Sequence, residues 1–171
     1  MVFETLTVSE DDGIGRLTLN QPDKLNPLGT QSLEEIVRAT EWFDQQNTAV
    51  VVINGAGRAF SSGFDLREFT NENSKGRNGP ALGKQMADAV ENMRAVAIAA
   101  VHGHCIGGGV VLVSACDLRI AATGTAFSIP EVDLGIPLAW GGIPRLVREI
   151  GPAMTRELVM TCRPFNADEA K

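Results

Sequence analysis

Apolar and polar positions alternate loosely over residues 3–10 and again over 14–20, with Asp12-Gly13 between the two runs. A period of two is that of a strand covered on one face, and an Asp-Gly pair favours a tight hairpin turn. Further on, Leu33, Ile36, Val37 and Phe43 recur at helical intervals within residues 31–46, and Ser32 and Glu35 are spaced as a capping box. Ala49-Val50-Val51-Val52-Ile53 is continuously apolar and β-branched, which predicts a strand buried on both faces. Residues 70–80, TNENSKGRNGP, read as a loop. Residues 81–95 return to the helical period, with Leu82, Met86, Val90 and Met93 on one side. Ala97 to Val101 predicts a second buried strand. Gly107-Gly108-Gly109 opens a helix that runs to Ala115, and Asp117 to Ala122 predicts a third, short strand. Two helices follow: 141–150, with Ile143, Leu146, Val147 and Ile150 inward, and 153–162, with Pro152 in its first turn. Strands and helices alternate, so the class is α/β. The chain closes on NADEAK, spaced as the first turn of another helix, so residues 1–171 are expected to be a single core domain truncated before further C-terminal helices.

Composition narrows the class of partner. A chain of 171 residues that is 44% hydrophobic and 21% charged can bury a sizeable core. The net charge of −6, without a basic stripe, argues against nucleic acid and leaves room for an anionic small ligand held by a few local cations. Cys105, Cys116 and Cys162 are odd in number and lack a C-x-x-C spacing, so buried reduced thiols in a cytoplasmic protein are expected rather than a disulfide framework or a zinc site. The N-terminus MVFETLTVSEDDG has no basic or apolar signal region. The longest apolar run, Ala95 to Val101, is too short to span a bilayer, so no membrane partner is expected.

Two glycine-rich segments hold the candidate chemistry. GRAFSSGFDLRE, Gly57 to Glu68, follows the first buried strand; HGHCIGGGVVL, His102 to Leu112, follows the second. Loops at the C-terminal ends of parallel strands are where α/β sheets build sites. The first N–H groups of a helix have no internal acceptor, and glycine lets a ligand approach them, so the triplet can hold an oxyanion. The plainer reading is that these glycines only allow close helix–strand packing. Neither G-x-x-x-x-G-K-[ST] nor G-x-G-x-x-G occurs in these segments, which weakens a nucleotide reading. His102 and His104 bracket Gly103 without a spaced third ligand, so no metal is expected. No G-x-S-x-G elbow marks a serine hydrolase.

Taken together, the two segments resemble the enoyl-CoA hydratase/isomerase (crotonase) superfamily. LNQPDKLNPL, Leu19 to Leu28, is similar to its L-N-x-P-x-x-x-N-x-L signature; SACDLRIAA, Ser114 to Ala122, and FSIPEVDLGIPLAWGGIPRL, Phe127 to Leu146, resemble its later segments in the right order. The resemblance implies a spiral of ββα units, assembly as a homotrimer or hexamer, and an acyl-CoA substrate of fatty acid metabolism, with CoA entering as the thioester and no separate cofactor. It implies that the N–H groups of Phe64 and Gly108 form the oxyanion hole, Phe64 standing where alanine is common. Phe64, Asp65, Leu66 and Arg67 resemble the stretch lining the CoA arm, and Lys24 and Leu25 the loop at its nucleotide end.

The acid–base residues set the reaction. Two-glutamate hydratases of the superfamily carry one glutamate where Val111 stands here, and the other at Glu131. One carboxylate suits a proton shuttle, so Δ3–Δ2 enoyl-CoA isomerisation with Glu131 as single acid/base is favoured. Asp133 either assists or caps a turn. The alternatives are hydration (a lyase reaction) with one glutamate, or a non-catalytic acyl-CoA-binding protein.

Overall fold

The computed structural model describes residues 2–69 and 79–171; of the predicted loop at 70–80, residues 70–78 lie outside them. Strands β1 (Leu6–Asp11) and β2 (Ile14–Leu19) form the expected antiparallel hairpin, turned by Asp12 and Gly13 at φ 49° and 79°. Helix α1 (Thr30–Gln45) crosses over to β3 (Val50–Gly55), and α2 (Gly79–Glu91) leads into β4 (Val96–Val101). The short β5 (His104–Ile106) precedes α3 (Gly108–Ser114), followed by β6 (Leu118–Ala121) and β7 (Ala126–Ser128). Helix α4 (Gly142–Thr161) bends at Gly151, where φ/ψ of 76°/165° and then Pro152 divide it into the two predicted helices. β8 (Phe165–Asn166) and the one-turn α5 (Ala167–Ala170) close the chain, with the Asn166 side chain accepting from the Glu169 N–H.

Among the described residues these strands form two sheets. One runs β1-β2-β3-β4-β6, parallel from β2 onward, and the other runs β5-β7-β8. Leu33, Ile36 and Phe43 of α1 and Met86 and Val90 of α2 pack with Leu17, Val51, Ile53, Ala97 and Ala99 in one core. The helices cover only one face. β3 is therefore not buried on both faces as its composition predicts: Val51 and Ile53 are fully covered, while Val50 and Val52 are half-buried. Likewise only Leu146 of the four predicted inward positions on 141–150 is buried. Ile143, Val147 and Ile150 are exposed, because the first half of α4 meets the core through a narrow stripe of Gly142, Arg145 and Leu146, while its second half buries Thr155 and Leu158.

The capping box is also replaced. The helix begins at Thr30 with Gly29 as its N-cap, which puts Ser32 inside the first turn. Glu35 reaches instead to the N-terminal segment, accepting from the N–H groups of Glu4 and Thr5 at 2.9 Å and from the Thr5 hydroxyl at 2.6 Å. The open end of α1 is satisfied from far along the chain: Glu68 accepts from the Thr30 N–H at 2.8 Å and from its hydroxyl at 2.6 Å.

Candidate active site

The parallel strands β2, β3 and β4 all end at one edge of the sheet, and three loops leave there. Asn26 ties them together. Its amide donates to Ala56 O (2.9 Å) and Ala59 O (2.8 Å), and its oxygen accepts from the Gln21 N–H at 2.9 Å. The Ser61 hydroxyl donates to Asn26 O at 2.8 Å and accepts from the Gly63 N–H at 3.1 Å. Residues 26–28, 61–64 and 104–106 consequently run side by side, bridged in parallel at Leu28 with Phe64 and at Ser61 with Cys105.

This alignment brings two backbone segments into contact. Gly63 turns at φ 82°, and a side chain there would lie 2.6 Å from Ile106 O and 3.4 Å from the Gly108 nitrogen. Gly107 (φ 50°, ψ −112°) then starts α3. As the first residue of that helix, Gly108 has no intrahelical acceptor for its N–H. A side chain on Gly107 would collide with the Glu131 carboxylate, so this glycine is what leaves room for it.

Phe64, Gly108, Val111 and Glu131 share one cavity of about 160 Å³, and Leu138 and Trp140 form another part of its wall. Among the described lining residues Glu131 is the sole one that ionises. Its Oε2 is out of solvent with no hydrogen-bond partner among the described residues. Burial in these apolar walls pushes its carboxyl above the usual range, and a bond from its own backbone N–H offsets only part of that. Asp133, two residues on, is exposed and does not line the cavity.

The other expected site residues lie outside this cavity. Lys24 ends a 3-10 turn, Pro22–Lys24, and Leu25 follows in a left-handed conformation at φ 62°. Asp65 and Arg67 form an ion pair at 2.6 Å. The Arg67 guanidinium holds Asp65 below its usual range, and Lys24 contributes to the same shift, so these charges are neighbours. Leu66 is exposed. His102 contacts Gly57 O at 2.9 Å through Nε2, and no cluster able to hold a metal occurs among the described residues. Burial pushes the Cys105 and Cys116 thiols up, Cys116 to about 12. No described helix is long and apolar enough to cross a membrane.

Sequence reasoning missed Trp140. It obeys no period, since it stands in a loop, and its one signal is a large aromatic directly before Gly141-Gly142.

The profile of the enoyl-CoA hydratase/isomerase family matches residues 9–171, and the chain belongs to that family. It is 36% identical to a peroxisomal Δ(3,5)-Δ(2,4)-dienoyl-CoA isomerase of Arabidopsis thaliana, over 99% of this chain and 66% of that protein. It is also 36% identical to a crotonyl-CoA hydratase of Syntrophomonas wolfei, with the same 99% and 66% coverage. The fold matches an enoyl-CoA hydratase of Bacillus anthracis with a TM-score of 0.91 at 34% identity, over 98% of this chain and 67% of that one. The architecture is thus the crotonase-like α/β fold, and the chain spans about 66% of the length of these curated relatives.

Proposed function

We propose that the cavity takes the acyl end of a CoA thioester and that the reaction is Δ3–Δ2 enoyl-CoA isomerisation. The observation that carries this reading is the Glu131 carboxylate, the sole ionisable group among the described lining residues, which shares its wall with Val111. The thioester oxygen accepts from the N–H groups of Phe64 and Gly108. Carboxylate Glu131 removes a proton from the α carbon, and the electron pair passes into a dienolate whose oxygen the two N–H groups hold. Removing one donor of this kind costs about 3–4 kcal/mol in rate. The resulting carboxylic acid returns the proton to the γ carbon, and the double bond moves from C3–C4 to C2–C3 with no atom gained or lost. Apolar walls serve the shuttle, because desolvation raises the basicity of the carboxylate that must accept a carbon-bound proton.

CoA enters as part of the substrate in this reading, with no separate cofactor. Arg67 and Lys24 would meet its phosphates, Arg67 leaving Asp65 to do so. A homotrimer or hexamer belongs to the same proposal. Hydration by a single glutamate is the second reading, favoured by the 36% identity to a crotonyl-CoA hydratase.

Supplying 3-enoyl-CoA and 2-enoyl-CoA separately tests the choice. The expected outcome is rapid isomerisation of the first, slow hydration of the second, and loss of turnover with retained ester binding in Glu131→Ala. Fast hydration of crotonyl-CoA without isomerisation rejects the isomerase reading. Tight binding without turnover on either substrate makes the protein a non-catalytic acyl-CoA binder.

A further inference from the structure

Trp140 sits in the left-handed region at φ 60°, followed by Gly141 at φ 69°. A non-glycine residue held there costs about 1–3 kcal/mol and persists only where its surroundings fix it. Arg145 fixes this one. Its side chain is 6% exposed. The guanidinium donates to Trp140 O and Gly141 O at 3.2 Å each, and to Asp88 (2.8 Å) and Glu91 (2.5 Å) on α2. The strained bend is thereby fastened to α2.

The bend delivers a buried indole between Gly83 of α2 and Gly108 of α3; a Cβ on either glycine would collide with the ring. Phe64 meets the same indole edge-on, with ring centroids 6.0 Å apart at 82°. The indole therefore contacts both residues whose N–H groups the thioester reading assigns to the oxyanion.

We propose that Trp140 closes the acyl cavity and restricts the protein to short-chain acyl-CoA thioesters, with Arg145 as the positioning residue that holds the indole in place. This rests on the thioester reading above. A cavity of about 160 Å³ is close to the size that takes up one benzene molecule, about six heavy atoms. The carbonyl carbon, oxygen and sulfur of a thioester leave room for roughly three further carbons within that count, which is a four-carbon acyl group. A longer chain meets the indole, whose ring is wedged between Gly83, Gly108 and Phe64 and whose backbone the Arg145 bonds hold.

The test is calorimetric binding of saturated acyl-CoA esters from butyryl to decanoyl to the unaltered protein, Trp140→Ala and Trp140→Leu. The unaltered protein is expected to bind butyryl-CoA best and to lose about tenfold in affinity by octanoyl-CoA, roughly 1.4 kcal/mol. Trp140→Ala should instead tighten about three- to fourfold for each added methylene, and Trp140→Leu, the milder change in packing, should fall between. Identical length profiles in the three proteins overturn the proposal while leaving the thioester reading intact. Failure of the unaltered protein to bind any ester removes that reading and this one together. Arg145→Lys keeps a charge but cannot hold two carbonyls and two carboxylates at once. It should broaden the profile in the same direction, and an unchanged profile with only a lower Tm would reject the positioning role.

Discussion

Glu131 shows at the scale of one residue how reactivity and stability oppose each other. Its carboxyl is raised by desolvation in the fold and returns to its ordinary value, about 4.3, when the chain unfolds. Between those values the folded chain binds more protons, so the stability contributed by this group is complete below the ordinary pKa and is lost as pH rises through the folded one. Two outcomes follow. If Glu131 is the base of the proposed isomerisation, the acid limb of kcat/KM should lie above the usual carboxylate range, because a carboxylate base works only when ionised. Glu131→Gln should gain in unfolding free energy relative to the unaltered protein as pH climbs through the same interval, then hold a constant advantage. Urea titrations at a series of pH values check the second outcome, and a stability difference independent of pH would mean that the carboxyl is not desolvated. Glu131 was legible in the sequence because the P-E of a recognisable signature carries it. Trp140 was not, since its contacts come from α2, α3 and Arg145, and no local spacing records them.

At the scale of elements, two glutamates exchange the work that sequence spacing assigns to one. Ser32 and Glu35 have the spacing of a capping box, yet the helix starts at Thr30 and a distant Glu68 caps it. Local pattern cannot reveal a partner 38 residues away. Glu35 is freed to fasten the segment before β1 to α1. Burial pushes its carboxyl up, but the donors from Glu4, Thr5 and Gln31 together outweigh that and leave it lowered. Its stabilisation is therefore present above the ordinary pKa and is lost as pH falls through the depressed folded value. Glu35→Gln keeps the shape but has a single acceptor oxygen, so at neutral pH it should cost about 2–3 kcal/mol through donors left unsatisfied. The gap to the unaltered protein in urea midpoint should narrow as the pH drops below the usual carboxylate range. A cost under about 0.5 kcal/mol, the scatter of ordinary surface changes, would show that the N-terminal segment is held by something else.

For the whole molecule, the apolar runs of β3 and β4 were legible as strands, but what covers them was not. Hydrophobicity along a strand records that a face is shielded, not by which layer. Here α1 and α2 shield one face; on the other, Ile14, Val96, Leu118 and Ile120 are 52%, 42%, 55% and 67% exposed. Register makes this one surface. Ile14 aligns with Val50 and Val96, Val52 with Ile98 and Leu118, and Ala100 with Ile120. On this face β1 contributes Thr7, Ser9 and Asp11 and β2 adds Arg16 and Thr18 beside Ile14, so the apolar area ends before that edge, whereas at the other edge β6 presents the two most exposed apolar side chains. An apolar sheet face that runs out to an open edge strand favours association. Sedimentation velocity over a dilution series should therefore show concentration-dependent self-association of the 171-residue chain. Ile120→Lys places a charge at the most exposed of these positions, where it disrupts any dry contact yet stays solvated in the isolated chain. It should shift the distribution toward monomer while changing unfolding stability by less than about 0.5 kcal/mol. If the unaltered chain stays monomeric throughout, water covers this face without penalty to the assembly state; if Ile120→Lys associates as before, the contact lies elsewhere, and the exposed Ile143, Val147 and Ile150 of α4 are the next surface to charge.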